Sequence, residues 1–449
     1  MVKYDPCRDR DRAGDLKIDT HLIKTQQDMG EPRESSGTGT SVSAAIPSGP
    51  MAIVDASLLV ILFAILPLEH TPGLRYLLCF LLGLRGFWLL ARQSDRSFLH
   101  RGWAVLPWVV WASASYFWSV APEKTFADLK HDLWVPVVAF FGLYQVFRCR
   151  RSLVPLLWAV AAGTLTNAIV TAFGADSAPL PLPAVSRYFS TIGYSSTYAL
   201  YFSALALPWL LGKGGWRLRS LALAVVVVNV GGAMLVESRA FLLSLALLLV
   251  VVAGAIALRG RRRTALAAGA AAVVLIVVFT LVNRDRTGVF TKGGGVAAGL
   301  ALVVQNEVRF GIWPRWAERA LAGPVVGVGF GRDVPPVTLS PAEREALLAV
   351  DKFAAMHSHN IFLNVLLETG WPGLLFFLLM LGQLSVQFLL RVSAQGGSMS
   401  QSGLGGLLLI AGMLLKNQTD VFMLFGPAVL FYAALGCLLA WPRDEASSS

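Results

Sequence analysis

Charge is scarce in this chain: Asp, Glu, Lys and Arg make up 14% of 449 residues, against 55% hydrophobic residues and a mean hydropathy of +0.61. A soluble domain of this size is not built from so apolar a composition, so a polytopic membrane protein is expected. Cysteine is scarce too. Of the four, Cys7 lies in a polar tail, Cys79 and Cys437 in apolar runs, and Cys149 in a basic turn, so neither a disulfide frame nor a thiolate metal site is implied in the long polar loop. The chain shows no charged cap followed by a short apolar core at its start, so no cleavable signal is expected, and the first span should act as its own insertion signal.

The charge that is present is unbalanced, at +11. It sits in short arginine clusters between apolar runs, where it sets topology rather than a nucleic-acid footprint, so no nucleic acid is expected as a partner. Residues 1–49 mix charges with a Ser/Gly/Thr-rich run and lack the apolar surface to offset ordering entropy, so they read as a disordered cytoplasmic tail. Within the tail, Asp9-Arg10-Asp11 has the look of the paired acids that hold a metal in some sugar transferases, but it falls on the cytosolic side and reads as a solvated charge run.

From Pro50 onward, apolar runs recur that are long enough to cross about 30 Å of hydrocarbon as helices. Twelve spans are expected, near 50–67, 73–91, 102–120, 133–147, 153–174, 196–212, 219–236, 240–258, 264–282, 361–390, 404–416 and 421–440, with a cytoplasmic C-terminal tail over 442–449. Alternate connections carry Arg92, Arg96 and Arg101; Arg148, Arg150 and Arg151; Lys213, Arg217 and Arg219; and Arg259, Arg261, Arg262 and Arg263. By the positive-inside rule these four loops and both termini face the cytosol. Single cations, including Arg75, Lys124 and Lys416, fall on the opposite side, and Arg85 is an embedded charge placed to snorkel towards the cytosolic face.

One outer segment, 284–358, is far longer than the other loops, and a loop of that length is usually functional. Glu307 to Ala322 reads as an amphipathic helix with Val308, Ile312, Trp316 and Ala320 on one face, ended by Gly323-Pro324. A second helix should start at the capping box of Ser340 and Glu343 and run to about Met356. The pair is expected to form a lid over a cavity while touching the membrane interface.

The segment closes on His357-Ser358-His359-Asn360, and two histidines and an asparagine beside hydrocarbon point to a wet, functional cavity. A neutral imidazole is the side chain best placed to take a proton from a hydroxyl, and His359 is preferred because it begins a helix whose rigidity would fix its ring. A hydrogen bond to loop backbone is the plain alternative. A metal site is disfavoured, since His-Ser-His has neither cysteine partners nor a nearby carboxylate cluster. Nine residues on, Gly370, Pro372 and Gly373 mark a break in which the chain re-aims, or a packing kink. Arg187, Arg239 and Arg309, with Arg315 as a fourth, lie beside apolar helices on the outer face, and Ser238-Arg239 sits in a turn between long spans. Singly, each reads as a snorkelling headgroup contact; together they favour an anionic lipid or pyrophosphate ligand. Gly327-Val328-Gly329-Phe330-Gly331 follows a helix rather than a strand, so it reads as a tight turn where backbone approaches a ligand or helix and not as a dinucleotide loop.

Together these features resemble the bacterial lipopolysaccharide O-antigen ligases, whose superfamily also holds O-antigen polymerases and protein O-oligosaccharyltransferases. The most specific element is a pattern of His, then Asn, Ser or Gln, nine residues, Gly, two residues and Gly, met by His359, Asn360, Gly370 and Gly373. Ser238-Arg239, Arg309 to Trp313 leading through Pro324 to the three glycines, and the Trp118 to Pro122 turn support it. The resemblance implies an all-α fold of the GT-C glycosyltransferase type in the inner membrane of a Gram-negative bacterium, with its active site on the periplasmic side. It implies transfer of a finished glycan from undecaprenyl pyrophosphate to the lipid A core oligosaccharide, with membrane lipids as surroundings and with neither metal, cofactor nor nucleotide sugar. His359 would be the base of an inverting displacement, the arginines would hold the pyrophosphate, and Asn360 would orient the histidine or a sugar. An O-antigen polymerase uses the same donor and stays open as a reading. A transporter would call for ionisable residues at mid-membrane or paired inverted repeats, and no clear repeat is visible.

Overall fold

A computed structural model describes residues 50–92, 102–148, 152–175, 183–189, 191–212, 215–257, 262–282, 309–394, 400–418, 421 and 423–440. Both tails, the first part of the long loop and the cations Arg96, Arg101, Arg150, Arg151, Lys213, Arg259 and Arg261 lie outside the described residues, as do Glu307 and Val308. Everything described is helix, turn or loop, and no strand occurs among the described residues. The all-α expectation is met.

The helices are α1 (Pro50–Ile65), α2 (Pro72–Arg92), α3 (Leu106–Ala114, entered and left through 3₁₀ turns), α4 (Pro122–Asp128), α5 (Val135–Phe147), α6 (Val154–Gly174), α7 (Pro183–Ser186), α8 (Ile192–Leu211), α9 (Trp216–Leu235), α10 (Arg239–Ala257) and α11 (Arg262–Val282). Then come α12 (Arg309–Ala322), α13 (Pro341–Leu348), α14 (Ile361–Ala394), α15 (Gln401–Lys416) and α16 (Phe425–Ala440). A helix stands at each of the twelve places where a span was expected. By length and composition, α2, α6, α9, α10 and α14 are long and apolar enough to cross a membrane among the described residues, and α1, α15 and α16 are shorter apolar helices.

Apolar burial holds the bundle in two blocks. One joins α1, α2, α5, α6, α8 and α16 around Phe63, Phe140, Tyr144, Phe202 and Phe431; the other joins α8, α10 and α15 around Leu200, Phe241 and Leu248. Without water to drive helices together in lipid, close backbone approach matters more. A Cβ on Gly142 would strike the α2 backbone at Leu82 and Gly83, so α2 and α5 meet at a glycine contact that nothing larger fits. On α9 to α11, Leu223, Val227, Leu243, Val250, Leu266 and Val273 are exposed, an apolar surface suited to hydrocarbon rather than water.

Arg85, expected to snorkel, and Arg75, expected as a single outer cation, are both held by partners within the bundle. Arg85 does not reach for a membrane surface: its Nε lies 3.1 Å from Asp55 Oδ1 on α1, with both side chains nearly enclosed. Arg75, read as a loose outer cation, is 9% exposed, donates from Nε to Thr71 Oγ1 at 3.1 Å and also donates to the Leu68 carbonyl. Arg391 donates at 2.6 Å to both the Leu438 and Leu439 carbonyls, satisfying two of the acceptors that a helix end leaves open.

Loops at one end of the bundle are joined by backbone bonds. Glu69 N donates to Tyr188 O at 2.9 Å, Val120 N to Val328 O at 2.9 Å, and Ile361 N to Asn417 O at 2.9 Å. The two helices of the long segment, expected as a lid, pack on each other and on α14. α12 buries Ile312, Trp316 and Ala320, the face expected from periodicity, against Leu347, Ala354, Ala355 and Leu367. Arg319 pairs with Glu343 at 3.2 Å and ties α12 to α13. The capping box at Ser340 and Glu343 is present, and its hydrogen bonds hold the Glu343 carboxyl below the usual range. α13 stops at Leu348 rather than near Met356, because Asp351 Oδ1 accepts from Phe353 N at 2.8 Å and diverts the chain into turns.

Candidate functional site

The histidine edge is a bend and not the start of a helix. α14 begins at Ile361, two residues after His359, and His359 holds φ +54, a left-handed backbone uncommon for a non-glycine residue. Its ring is therefore oriented by the bend and by what covers it, which corrects the expectation that the span fixes it. Asn360 is the N-cap: its Oδ1 accepts from Phe362 N at 3.0 Å and Leu363 N at 3.1 Å, while its Nδ2 donates to Gln418 Oε1 at 3.2 Å. With Ile361 N bonded to the Asn417 carbonyl, and Asn417 Nδ2 donating to Tyr201 OH at 3.3 Å, the bend is fastened to α15 and α8.

The two rings lie against each other within the bend, tilted by 58° with centroids 4.0 Å apart. His357 Nδ1 accepts the backbone N–H of His359 at 3.2 Å, so His357 carries its proton on Nε2 when neutral. His359 Nε2 lies 3.4 Å from the Phe353 carbonyl, which only accepts, so in the neutral ring this contact assigns the proton to Nε2 and leaves Nδ1 as the basic atom. Both rings are buried, His359 to 9% exposure, under the 351–356 turn of the lid.

Gly370 breaks α14 with φ +70 and ψ −171. A Cβ there would meet Val325 O, the Val326 carbonyl carbon and Gly327 N, since the glycine-rich segment lies against the break. The docking is a short ladder: Trp371 N to Val325 O at 2.9 Å, Val328 N to Leu367 O at 3.1 Å and Gly329 N to Glu368 O at 2.8 Å. Trp118 Nε1 to Val326 O at 3.0 Å and Trp111 Nε1 to Thr369 O at 2.9 Å close the other side. A Cβ on Gly373 would press on Thr369 and Trp111. Thus the glycine segment, the Trp118 turn and the Gly370 break form one unit.

The arginines are set on three elements. Arg187 is exposed in the turn after α7, its guanidinium 4.8 Å over the Tyr188 ring. Arg239 opens α10, half-buried, after the buried Ser238, whose N–H donates to Ala233 O at 2.8 Å. Arg309 begins the described part of α12, half-buried, and Arg315 is exposed on the same helix, off its buried face. Between α12 and the first half of α14 runs an apolar groove of about 420 Å³, lined by Phe310, Trp313, Asn360, Phe362, Leu366 and Trp371.

A second cavity, lined by Asp132, Arg332, Asn364 and Glu368 with Trp108, Phe330, Phe377 and Tyr432, had no counterpart in the sequence reading. Asp132 lies in a π-helical turn over Leu129–Trp134, just before α5, and such turns recur at functional sites. Its Oδ1 accepts from Phe425 N at 2.6 Å. Burial, and then the nearby Asp128, push its carboxyl up to about 8 against the relief given by Phe425 N–H. Burial and Asp333 push Asp128 up to about 6. Asn364 bridges this cavity to the histidine bend: its Oδ1 accepts from Ser358 Oγ at 3.3 Å, and its Nδ2 donates to Glu368. The available signal was Glu368, a carboxylate within the apolar run of α14 four residues after Asn364.

Comparison with curated proteins gives no match. Arg187 and the Trp118 turn fall outside the region matched by a family model. That region, over residues 224–378, matches the family model described as O-Antigen ligase, and it holds Ser238, Arg239, Arg309, Arg315, the histidine bend and the Gly370 break.

Proposed function

We propose that this membrane-embedded protein is an O-antigen ligase, which transfers a completed glycan from undecaprenyl pyrophosphate to the lipid A core oligosaccharide. The observation that carries this reading is that one family-matched segment contains the whole His359, Asn360, Gly370, Gly373 pattern, folded as a single bonded unit. In the proposed topology the arginine-rich connections face the cytosol, and the lid and histidine bend face the periplasm across the inner membrane.

The acceptor hydroxyl oxygen attacks the anomeric carbon of the lipid-linked sugar, the bond from that carbon to the pyrophosphate oxygen breaks, and the configuration inverts. His359 Nδ1 takes the hydroxyl proton, an effect of about 10² to 10⁴ in rate for a positioned general base. Undecaprenyl pyrophosphate leaves with the bonding pair. Arg187, Arg239, Arg309 and Arg315 supply fixed positive charge for the pyrophosphate, which needs stabilisation most as it departs. Because His359 is nearly enclosed, the reading includes opening of the 351–356 turn when substrate enters. No metal, cofactor or nucleotide enters the scheme.

The test is transfer by the purified protein, from an undecaprenyl-pyrophosphate donor to lipid A core, in EDTA and without nucleotide. Capped core is the expected product. Longer lipid-linked glycans formed with the core acceptor omitted would replace ligase with polymerase, and no turnover with either acceptor would overturn the glycosyltransferase reading.

A further inference from the structure

We propose that the cavity bounded by Asp132, Arg332, Asn364 and Glu368 is a saccharide subsite, taking the hydroxyl-bearing edge of a phosphate-free sugar of the acceptor. The acceptor part of this assignment rests on the transfer reading above. Four observations carry it.

Asp132 is 5% exposed, lines the cavity, and accepts on Oδ1 from Phe425 N at 2.6 Å. A buried carboxyl that borders a cavity is costly unless protein, solvent or ligand groups match it by hydrogen bonds. The walls are those a pyranose needs: Asp132, Glu368 and the Asn364 amide for hydroxyls, and the Trp108, Phe330 and Phe377 rings for the apolar ring face, Trp108 lying 5.2 Å from Phe377 and 6.1 Å from Phe330. The space is about 50 Å³, room for roughly four waters or one edge of a ring, so it fits a sugar's hydroxyls and not a whole glycan.

The charge decides the class. Asp132, Glu368, Asp128 and Asp333 gather near Arg332, whose Nε is already engaged by Asp333 at 3.1 Å, and burial pushes the Asp132 and Asp128 carboxyls towards the neutral acid. Neutral acid and amide groups suit hydroxyls, and a cavity with one guanidinium already paired to a carboxylate offers little to a phosphate, in contrast to the arginine-bearing α10 and α12. Among the described residues no three His, Cys, Asp or Glu side chains are arranged to hold a metal ion. Position supplies the last argument: through Asn364 and Ser358 the cavity is one side chain from the histidine bend, where an acceptor hydroxyl must be presented.

Saturation-transfer NMR on the purified full chain tests binding with three probes, methyl glucoside, glucosamine and glucose 6-phosphate. The first two should show transfer from the protein that Asp132→Asn and Glu368→Gln both abolish, and the phosphate ester should show none. Both substitutions preserve shape, and an unchanged melting temperature at pH 6 separates lost binding from lost fold. In the glycan-transfer assay, Asp132→Asn should raise the acceptor KM about tenfold or more, with kcat and donor KM nearly unchanged. Undiminished sugar signals in both variants, or glucose 6-phosphate binding as well as the neutral sugar, would overturn the subsite and leave the transfer reading standing. Sugar binding that the variants abolish, in a protein that transfers no glycan, would overturn the transfer reading and with it the acceptor role, leaving a saccharide site.

Discussion

The His357 ring receives the backbone N–H of its neighbour His359 on Nδ1 at 3.2 Å, so one histidine shapes the bend that aims the other. The two are therefore not interchangeable. His359→Ala should lower kcat by about 10² to 10⁴, the range for loss of a positioned base. His357→Ala should cost less, and His357→Asn less again, because the asparagine Oδ1 stands where Nδ1 accepts. Initial rates of glycan transfer across the three variants check the order; a His357→Ala loss equal to that of His359→Ala would place both rings in the chemistry.

Gly370 is a conformational requirement as well as a contact. Gly370→Ala forces a side chain into φ +70 and against the Val325 to Gly327 backbone, and should destabilise by more than about 2 kcal/mol. Gly382, on the same helix with open space around it, is the control: Gly382→Ala should be neutral or mildly stabilising. Thermal unfolding in detergent, followed by tryptophan fluorescence, reports both.

Asp132 and Asp128 make stability fall with rising pH. Their carboxyls sit at about 8 and about 6 in the fold, above the value of 3.8 they take when free, so the folded chain binds more protons than the unfolded one between these limits. The contribution is fully present below about pH 4 and is lost as pH rises through about 6 and then about 8. The melting temperature should drop by several degrees between pH 5 and pH 9, and Asp132→Asn should flatten the upper part of that slope. A melting temperature that rises over this range would contradict the assignment.

The Arg85 and Asp55 pair should show strong coupling. Arg85→Gln alone leaves a buried carboxylate without its cation and should cost about 3 to 5 kcal/mol, whereas the double change with Asp55→Asn should recover much of that. Chemical unfolding of the four proteins in a mutant cycle gives the coupling energy directly.

Much of this arrangement was legible in one dimension. Hydropathy placed the helices, because an apolar run of that length has few other structures to adopt once its backbone must satisfy itself. Local rules placed the capping box at Ser340, the buried face of α12 and the break at Gly370, since each depends on residues a few positions apart. The spacing from His359 to Gly373 carried the family resemblance, and the match over residues 224–378 agrees with it.

What the sequence by itself determined is therefore the helical class, the membrane setting and the histidine edge. Only the tertiary structure decided what surrounds that edge. Asp132, Arg332 and Glu368 come from three separate segments, and their meeting depends on the glycine turn docking into the α14 break, a long-range contact with no local signature. The pairing of Arg85 with Asp55 and the tie from Asn360 to Gln418 were decided in the same way. A buried charge or amide is satisfied by whichever partner the packing brings within about 3 Å, and that partner is set by how helices stack rather than by the order of residues along the chain.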